Sequence, residues 1–395
     1  MIDVLGEVSL KRGKEYSIQR FHPWVFSGAI HSAGNHLTDG SWVSIADHHG
    51  NVLGYGHYQR GSIAIRVLSF GTERPHKDFW SKKLQAAIAL RRHIGLPSAS
   101  TDAYRLVHGE GDGLPGLIID YYNGVAVMQA HSAGMHYSRY EISQALQDTM
   151  VGLKAVYYKS HGTLPGDMRE DEKDEYLFGT ATVPHLINEN NNKFLVDWED
   201  GQKTGFFLDQ RENRAMLGRL SEGKKVLNTF CYTGGFSVYA LQQKATLVHS
   251  LDASARAIEL TKENIARNGF DPELHACFIG NTFEFLSDKQ DVYDVVVLDP
   301  PAFAKHREAR HQAVKGYQRL NAAAMRVIRS GGILFTFSCS QVVDRKLFYD
   351  TIVSSAIQAG REIKVLQHLN QPADHPVSIF HPEGEYLKGL VLSVV

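Results

Sequence analysis

Beyond Lys224 the chain alternates short apolar runs with helical segments, and this alternation restricts the fold more than any other feature. The runs are Val226-Leu227, Val248 to Leu251, Val295 to Leu298 and Ile333 to Phe337. Continuous apolar strands separated by helices belong to a parallel sheet covered on both faces, because a strand with one wet face would alternate instead. The N-terminal part reads differently. Trp42 to Ile45, Val52 to Tyr58 and Ile63 to Leu68 are short β-branched and aromatic runs, with Asp47-His48-His49-Gly50-Asn51 as a hairpin turn. Between the two lies a mixed segment. It has a helix over Phe79 to Ile94 ended by Gly95-Leu96-Pro97, strands at Leu117 to Asp120, Val125 to Gln129 and Ala155 to Lys159, and a helix near Tyr140 to Met150. Three domains are expected: a β-rich module over 1-73, a small α+β domain over 74-188 and an α/β domain over 189-395. Asp167 to Glu175 reads as an acidic, solvated loop.

A chain of 395 residues exceeds one ordinary hydrophobic core. No stretch approaches the roughly 20 apolar residues of a membrane helix. Met1 to Arg20 lacks an apolar signal core, so a cytoplasmic protein is expected. The cysteines are Cys231, Cys277 and Cys339, without CxxC spacing, so neither a metal site nor a disulfide framework is expected. The net charge of −1 leaves nucleic-acid contact to local basic patches. His306, Arg307, Arg310, His311 and Lys315 form one candidate, and Lys11, Arg12, Lys14 and Arg20 another. His22-Pro23-Trp24 reads as a stabiliser of the β-rich module.

Three features of the α/β domain point to a nucleoside cofactor. The strand Val226-Leu227 runs through Asn228-Thr229-Phe230-Cys231-Tyr232-Thr233 into Gly234-Gly235, a small-residue turn before a helix. Glycine there lets backbone approach a ligand closely. Asp252 ends the next strand, with Ser254 just beyond it, at the spacing where an acid binds ribose hydroxyls. Strand, turn and acid admit either a nicotinamide or S-adenosylmethionine. Asp299-Pro300-Pro301-Ala302-Phe303, at the carboxyl end of an apolar strand, favours the second. Its carboxylate and carbonyls can face a flat amino-bearing base, and its prolines fix the backbone. Gln210, Arg211 and Arg214 precede the first strand and are expected to close over the pocket.

Gly331-Gly332 reads as a turn into the strand Ile333 to Phe337, with Ser338-Cys339-Ser340 at its far end. Cys339 is then expected on the same sheet rim as Asp299. A thiolate is the nucleophile that C5 methylation of a pyrimidine requires: it adds to C6 and turns C5 into an enamine carbon. Asp299 can hydrogen-bond the N3/N4 edge of a cytosine. A neighbouring cation or the methylsulfonium is expected to lower the thiol pKa. Cys231 and Cys277 read as structural.

The sequence resembles the bacterial large-subunit (23S) ribosomal RNA cytosine-5 methyltransferases with an N-terminal PUA domain. The residues carrying the resemblance are Arg20 to Gly28, Gly111 to Leu117, Gly201-Gln202-Lys203-Thr204-Gly205-Phe206-Phe207-Leu208-Asp209-Gln210-Arg211, Asn228 to Gly235, Asp299 to Phe303, Phe337 to Ser340, Asp374-His375-Pro376 and Tyr386-Leu387-Lys388. The resemblance implies a PUA domain for RNA, an α+β middle domain and a Rossmann-like methyltransferase domain. It implies S-adenosylmethionine as cofactor, ribosomal RNA as partner, no membrane, and Cys339 as nucleophile; a homodimer is compatible with it. Other cytosine-5 enzymes carry a second cysteine after the strand-end Asp-Pro. This chain has Ala302 in that neighbourhood, a pattern shared with uracil-5 enzymes, so the base stays open between cytosine and uracil. Asn281 stands where the family commonly has an acid near the adenine, and its amide can accept from the adenine amino group.

Two other functions compete. An exocyclic-amine methyltransferase would use the Asp299 turn alone and tolerate Cys339→Ser. A non-catalytic RNA-binding protein would have lost cofactor binding, against which the intact Asp252 and Asp299 argue. A dehydrogenase has no use for a strand-end cysteine.

Overall fold

The computed structural model describes residues 1–165, 168, 173–287, 289–304 and 306–395. The acidic run read as a loop lies outside the described residues at 167 and 169–172. The chain forms two compact units. The first holds Met1–His185, Val196–Leu208 and Ala373–Gly384; the second holds Leu186–Leu195, Asp209–Pro372 and Glu385–Val395.

The first unit contains two sheets. One is built from β1 (Gly6–Leu10), β2 (Trp24–Phe26), β3 (Ile30–Ala33), β4 (Trp42–Ala46), β5 (Val52–Tyr58) and β6 (Ile63–Phe70), in the order β2-β6-β5-β4-β1-β3. A short helix α1 (Tyr16–Gln19) precedes β2. Alternate residues Val8, Leu10, Val43, Ile45, Ile65 and Val67 make its core, as the period-2 pattern dictates. Asp47 Oδ1 accepts from the amides of His49 (2.8 Å) and Asn51 (2.9 Å), which closes the β4–β5 hairpin at the predicted turn. The second sheet has β7 (Ala103–His108), β8 (Leu117–Tyr122), β9 (Val125–Ala130), β10 (Ala155–Tyr158) and β11 (Glu175–Gly179), in the order β11-β10-β9-β8-β7. Its core includes Leu84 of α2 (Phe79–His93) and Ile142 and Leu146 of α4 (Arg139–Thr149), which follows the short α3 (Ala133–Tyr137). The return segment 373–384 is tied in by charge: Arg91 pairs with Asp112 and donates to the Asp374 carbonyl at 2.7 Å. Trp24 Nε1 donates to Glu110 at 2.9 Å, and its ring packs on His381 with centroids 4.3 Å apart, so this indole is held inside the unit.

The second unit opens with the ribbon strands β12 (His185–Glu189) and β13 (Asn192–Val196), which begin and end across its boundaries, and then α5 (Arg211–Arg219). Its seven-stranded sheet comprises β14 (Lys225–Thr229), β15 (Leu247–Asp252), β16 (His275–Ile279), β17 (Tyr293–Leu298), β18 (Ile328–Ser338), β19 (Ile363–Leu369) and β20 (Lys388–Val394). The helices are α6 (Gly235–Gln242), α7 (Ala255–Arg267), α8 (Thr282–Ser287), α9 (Arg310–Val327) and α10 (Arg345–Ala359). The strand order is β16-β15-β14-β17-β18-β20-β19. β14, β15, β17 and β18 run parallel, as expected, and β16 joins them; β20 pairs antiparallel to both β18 and β19. Val295 to Leu298 are fully buried, which a sheet covered on both faces requires. Gly331 and Gly332 are not a turn ahead of β18 but lie within it. Tyr293 pairs with Ile328 and Val295 with Ile333, so β18 carries extra residues there, and Gly331 takes φ +80° to absorb them.

Candidate active site

The chain builds β15 and β16 on one side of β14 and β17 and β18 on the other, so the topological switch lies between β14 and β17. Ligands of open α/β sheets bind outside the carboxyl ends of the strands at that point. Thr229 at the end of β14 pairs with Leu298 at the end of β17, and Leu298 pairs with Thr336 of β18. The 230–235 turn, Asp299 and Cys339 therefore leave neighbouring parallel strands on one rim.

The turn is wound tightly. Phe230, Tyr232 and Gly234 take φ +53°, +47° and +76°, a left-handed conformation that costs energy at the two non-glycine positions. α7 holds it: Thr261 Oγ1 donates to the Tyr232 carbonyl (2.8 Å) and Asn264 Nδ2 to that of Thr233 (2.8 Å). A Cβ on Gly234 would lie 2.7 Å from Thr261 Cγ2, so only glycine fits. Asp252 accepts the Tyr232 amide at 3.0 Å on one oxygen and the Ser254 amide at 2.9 Å on the other. Each oxygen keeps a further lone pair, the pattern a ribose diol needs. The turn and this carboxylate thus form a cradle that fits a nucleoside.

Several residues assigned to cofactor by sequence are otherwise employed. Asn228 Nδ2 donates to Ser237 (2.9 Å) and Thr229 Oγ1 to the Val297 carbonyl (2.7 Å), so both side chains point into the sheet and only their backbone can face a ligand. Ser254 Oγ caps α7 by accepting the Ala257 amide. Asn281 Oδ1 accepts the Phe283 (2.8 Å) and Glu284 (3.4 Å) amides at the start of α8, which takes up the lone pairs assigned to the adenine amino group. Arg214 lies against the turn, where a Cβ on Gly235 would meet its Cδ at 2.8 Å, and its guanidinium is buried in a two-pronged pair with Glu189 at 2.8 and 2.6 Å. Arg211 is buried beside Glu212. Gln210 reaches Asp299 with a hydrogen bond, while Asn213 donates to Gln210 Oε1 at 2.6 Å. Pro300 is buried next to it.

Burial raises the Asp299 carboxyl to about 7, and the nearby charge of Asp209 adds to that. An unfolded aspartate titrates near 3.8. Between these values the folded unit holds a proton that the unfolded chain has released. This carboxyl's contribution to stability is therefore fullest below about pH 4 and fades as the pH rises through about 7. Melting curves of Asp299→Asn against the parent should show the variant gaining relative stability from about pH 4 to pH 8. Parallel curves would contradict the assignment.

Cys339 is partly exposed, and burial pushes its thiol up to about 11, with Asp299 and Asp209 acting in the same direction. The downward shift anticipated from sequence does not occur in the protein alone, because burial and two carboxyls outweigh the cation of Lys388. Lys388 reaches the site from β20. It donates to the Ser340 carbonyl at 2.8 Å, is brought by burial down to about 8, and lies opposite Ser338 in the β18–β20 register. Sequence reasoning carried Lys388 and Tyr386 only as letters of a shared string; β20's insertion between β18 and β19 is what brings them to the site. Cys231, within the turn, is buried against Thr261, and Cys277 lies half-buried in β16. His306, Arg307, Arg310, His311 and Lys315 are all exposed around the start of α9. Lys11, Arg12, Lys14 and Arg20 are exposed on the first unit. Among the described residues no cluster suits a metal ion, and no helix is long and apolar enough to cross a membrane.

A parallel sheet with a strained glycine turn at its switch point, a strand-end acid and a strand-end Asp-Pro-Pro defines a methyltransferase built on a nucleoside cofactor. The S-adenosylmethionine-dependent methyltransferase family matches residues 104–385, and the PUA-like domain matches 8–70. Ribosomal RNA large subunit methyltransferase I of Shewanella amazonensis is 38% identical over 397 residues, covering 98% of this chain and 99% of that protein. The protein of the same name from Shigella boydii serotype 4 is 38% identical over 396 residues, with 98% of each covered. A chain assigned as a SAM-dependent methyltransferase from Streptococcus mutans has the same fold, with TM-score 0.83, 22% identity, and 99% and 100% of the two chains covered. Another, solved with SAH, gives TM-score 0.84 at 23% identity over 100% of both chains. The chain belongs to the S-adenosylmethionine-dependent methyltransferases, among the ribosomal RNA large subunit methyltransferase I proteins, and S-adenosylmethionine is its cofactor.

Proposed function

We propose that the protein methylates C5 of a cytosine in large-subunit ribosomal RNA through a covalent bond between Cys339 and C6. The observation that carries this reading is the emergence of Cys339 and Asp299 from the paired strands β18 and β17, beside the 230–235 turn. The choice of RNA rests on the relatives named above, which span nearly the whole chain.

S-adenosylmethionine supplies an electrophilic methyl group. The turn from Phe230 to Gly235 would hold it, with Asp252 taking the ribose hydroxyls and Pro300 and Gln210 at the edge of the pocket. A cytosine unstacked into the site presents its N3/N4 edge to Asp299. A carboxyl that titrates near neutrality can donate to N3 and stabilise the charge that develops there when C6 is attacked. The Lys388 ammonium lies where it offsets the thiolate of Cys339. Cys339 Sγ would add to C6, and the electron pair pushed onto C5 would take the methyl carbon as its bond to the sulfonium sulfur breaks, leaving the cofactor as a neutral thioether.

RNA carrying 5-fluorocytosine at the target has no C5 proton to lose. It should trap a protein–RNA adduct that survives denaturation. No adduct from an otherwise active enzyme, or an adduct that persists in Cys339→Ala, would sink the C5 reading and favour an exocyclic-amine enzyme. Cofactor placement is checked separately: calorimetry on Asp252→Ala should show S-adenosylmethionine binding at least about tenfold weaker, the scale of a lost charge-assisted hydrogen bond. Unchanged affinity would remove Asp252 from the pocket.

A further inference from the structure

The C5 reading leaves one step without a residue: after methyl transfer, C5 holds both the new methyl group and its original hydrogen, and something must take that proton. Asp209 is bonded to one residue near the end of β18 and is the chain neighbour of another that bonds Asp299. Tyr386 donates its hydroxyl to Asp209 Oδ2 at 2.7 Å, and two residues on Lys388 starts β20 opposite Ser338, next to Cys339. Asp209 adjoins Gln210, which bonds Asp299. Asp209's charge acts on both Asp299 and Cys339. Its second oxygen, Oδ1, is buried and has no hydrogen-bond partner among the described residues. A buried acceptor left open is costly unless something else meets it.

We propose that Asp209 Oδ1 accepts the C5 proton and so releases the product, an inference that rests on the C5 reading above. The C5–H bond breaks, its electron pair becomes the C5–C6 double bond, the C6–Sγ bond breaks, and Cys339 departs as a thiolate. The proton sits on Asp209 until it passes to solvent. The Tyr386 hydroxyl fixes the carboxylate and leaves Oδ1 as the acceptor. The other polar groups on the rim are placed for different work. Lys388 is spent on the Ser340 carbonyl and, brought by burial only to about 8, remains chiefly a cation at neutral pH. Asp299 is held by Gln210 and faces the base edge.

Asp209→Asn is nearly isosteric, and it should split the reaction in two. Removing the charge eases ionisation of Cys339, which Asp209 opposes, so attack on C6 is not slowed, whereas release is lost. With unmodified cytosine RNA and methyl-labelled S-adenosylmethionine, D209N should accumulate a denaturation-resistant protein–RNA adduct carrying the labelled methyl group, with multiple turnover reduced at least about 100-fold, the scale of one proton-transfer group. With 5-fluorocytosine RNA it should trap adduct as well as the parent does. Parent enzyme that traps none overturns the C5 reading and this proposal with it. Parent enzyme that traps adduct while D209N turns over normally, or forms no adduct on either RNA although it binds S-adenosylmethionine, overturns the role of Asp209 alone. Should D209N not fold, Asp209→Ser, which also lacks a base, is read on the same gel: adduct on unmodified RNA supports the role, and full turnover without adduct refutes it.

Discussion

Cys339→Ala is expected to abolish methyl transfer, with the rate falling on the order of 10⁴-fold or more, as when a covalent nucleophile is removed from a site that otherwise stays intact. S-adenosylmethionine binding should be unchanged, because the cradle at 230–235 and Asp252 owes nothing to the thiol. A single-turnover assay with labelled cofactor measures the first, and calorimetry the second. Cys339→Ser should fall almost as far, since a hydroxyl is a much weaker nucleophile than a thiolate. Activity of either variant within tenfold of the parent would assign the rim to amine methylation, in which Asp299 and its prolines suffice. The effect is expected to be large because nothing else among the described groups on that rim can add to C6. Cys231 belongs to the turn but its thiol is buried against Thr261, and Cys277 sits on the edge strand β16.

Arg214→Ala should destabilise the second unit by about 3–5 kcal/mol, the usual cost of leaving one member of a buried ion pair alone. Glu189 is fully buried, accepts both prongs of Arg214 and also the Tyr239 hydroxyl at 3.0 Å, so it cannot turn to solvent when the guanidinium is gone. For a unit of this size that corresponds to a melting point lower by roughly 10 °C. Glu189→Leu combined with Arg214→Met should recover most of the loss, since an apolar pair removes the stranded charge. The double variant should still bind S-adenosylmethionine. If it melts normally and binds none, Arg214 belongs to the pocket after all.

The parallel sheet was legible because β14, β15, β17 and β18 carry runs of apolar residues that nothing but a two-sided cover explains. Asp299 and Cys339 were legible for the same reason: each directly follows such a run, and parallel strands bring their carboxyl ends to one edge. What the sequence concealed was contact across long separations. Arg214 reads as a residue that closes over the cofactor pocket, and only the ribbon β12–β13 shows its ion-pair partner, 25 residues earlier. Asn281 and Ser254 are polar residues at helix starts, where capping and ligand binding demand the same chemistry. Lys388 is recorded as a lysine near the C-terminus, and no local rule places β20 against β18. The thiol's upward shift likewise depends on Asp209, 130 residues before it in sequence, and on burial, neither of which periodicity reports.

The central claim is the atom that receives the methyl group. The most direct measurement is mass spectrometry of nucleosides, with site mapping, from large-subunit ribosomal RNA of cells with the gene, without it, and with the Cys339→Ala form restored. The account requires one 5-methylcytosine present in the first, absent in the second and still absent in the third. Loss of a 5-methyluridine or an N4-methylcytosine instead, or return of the mark with Cys339→Ala, would contradict it.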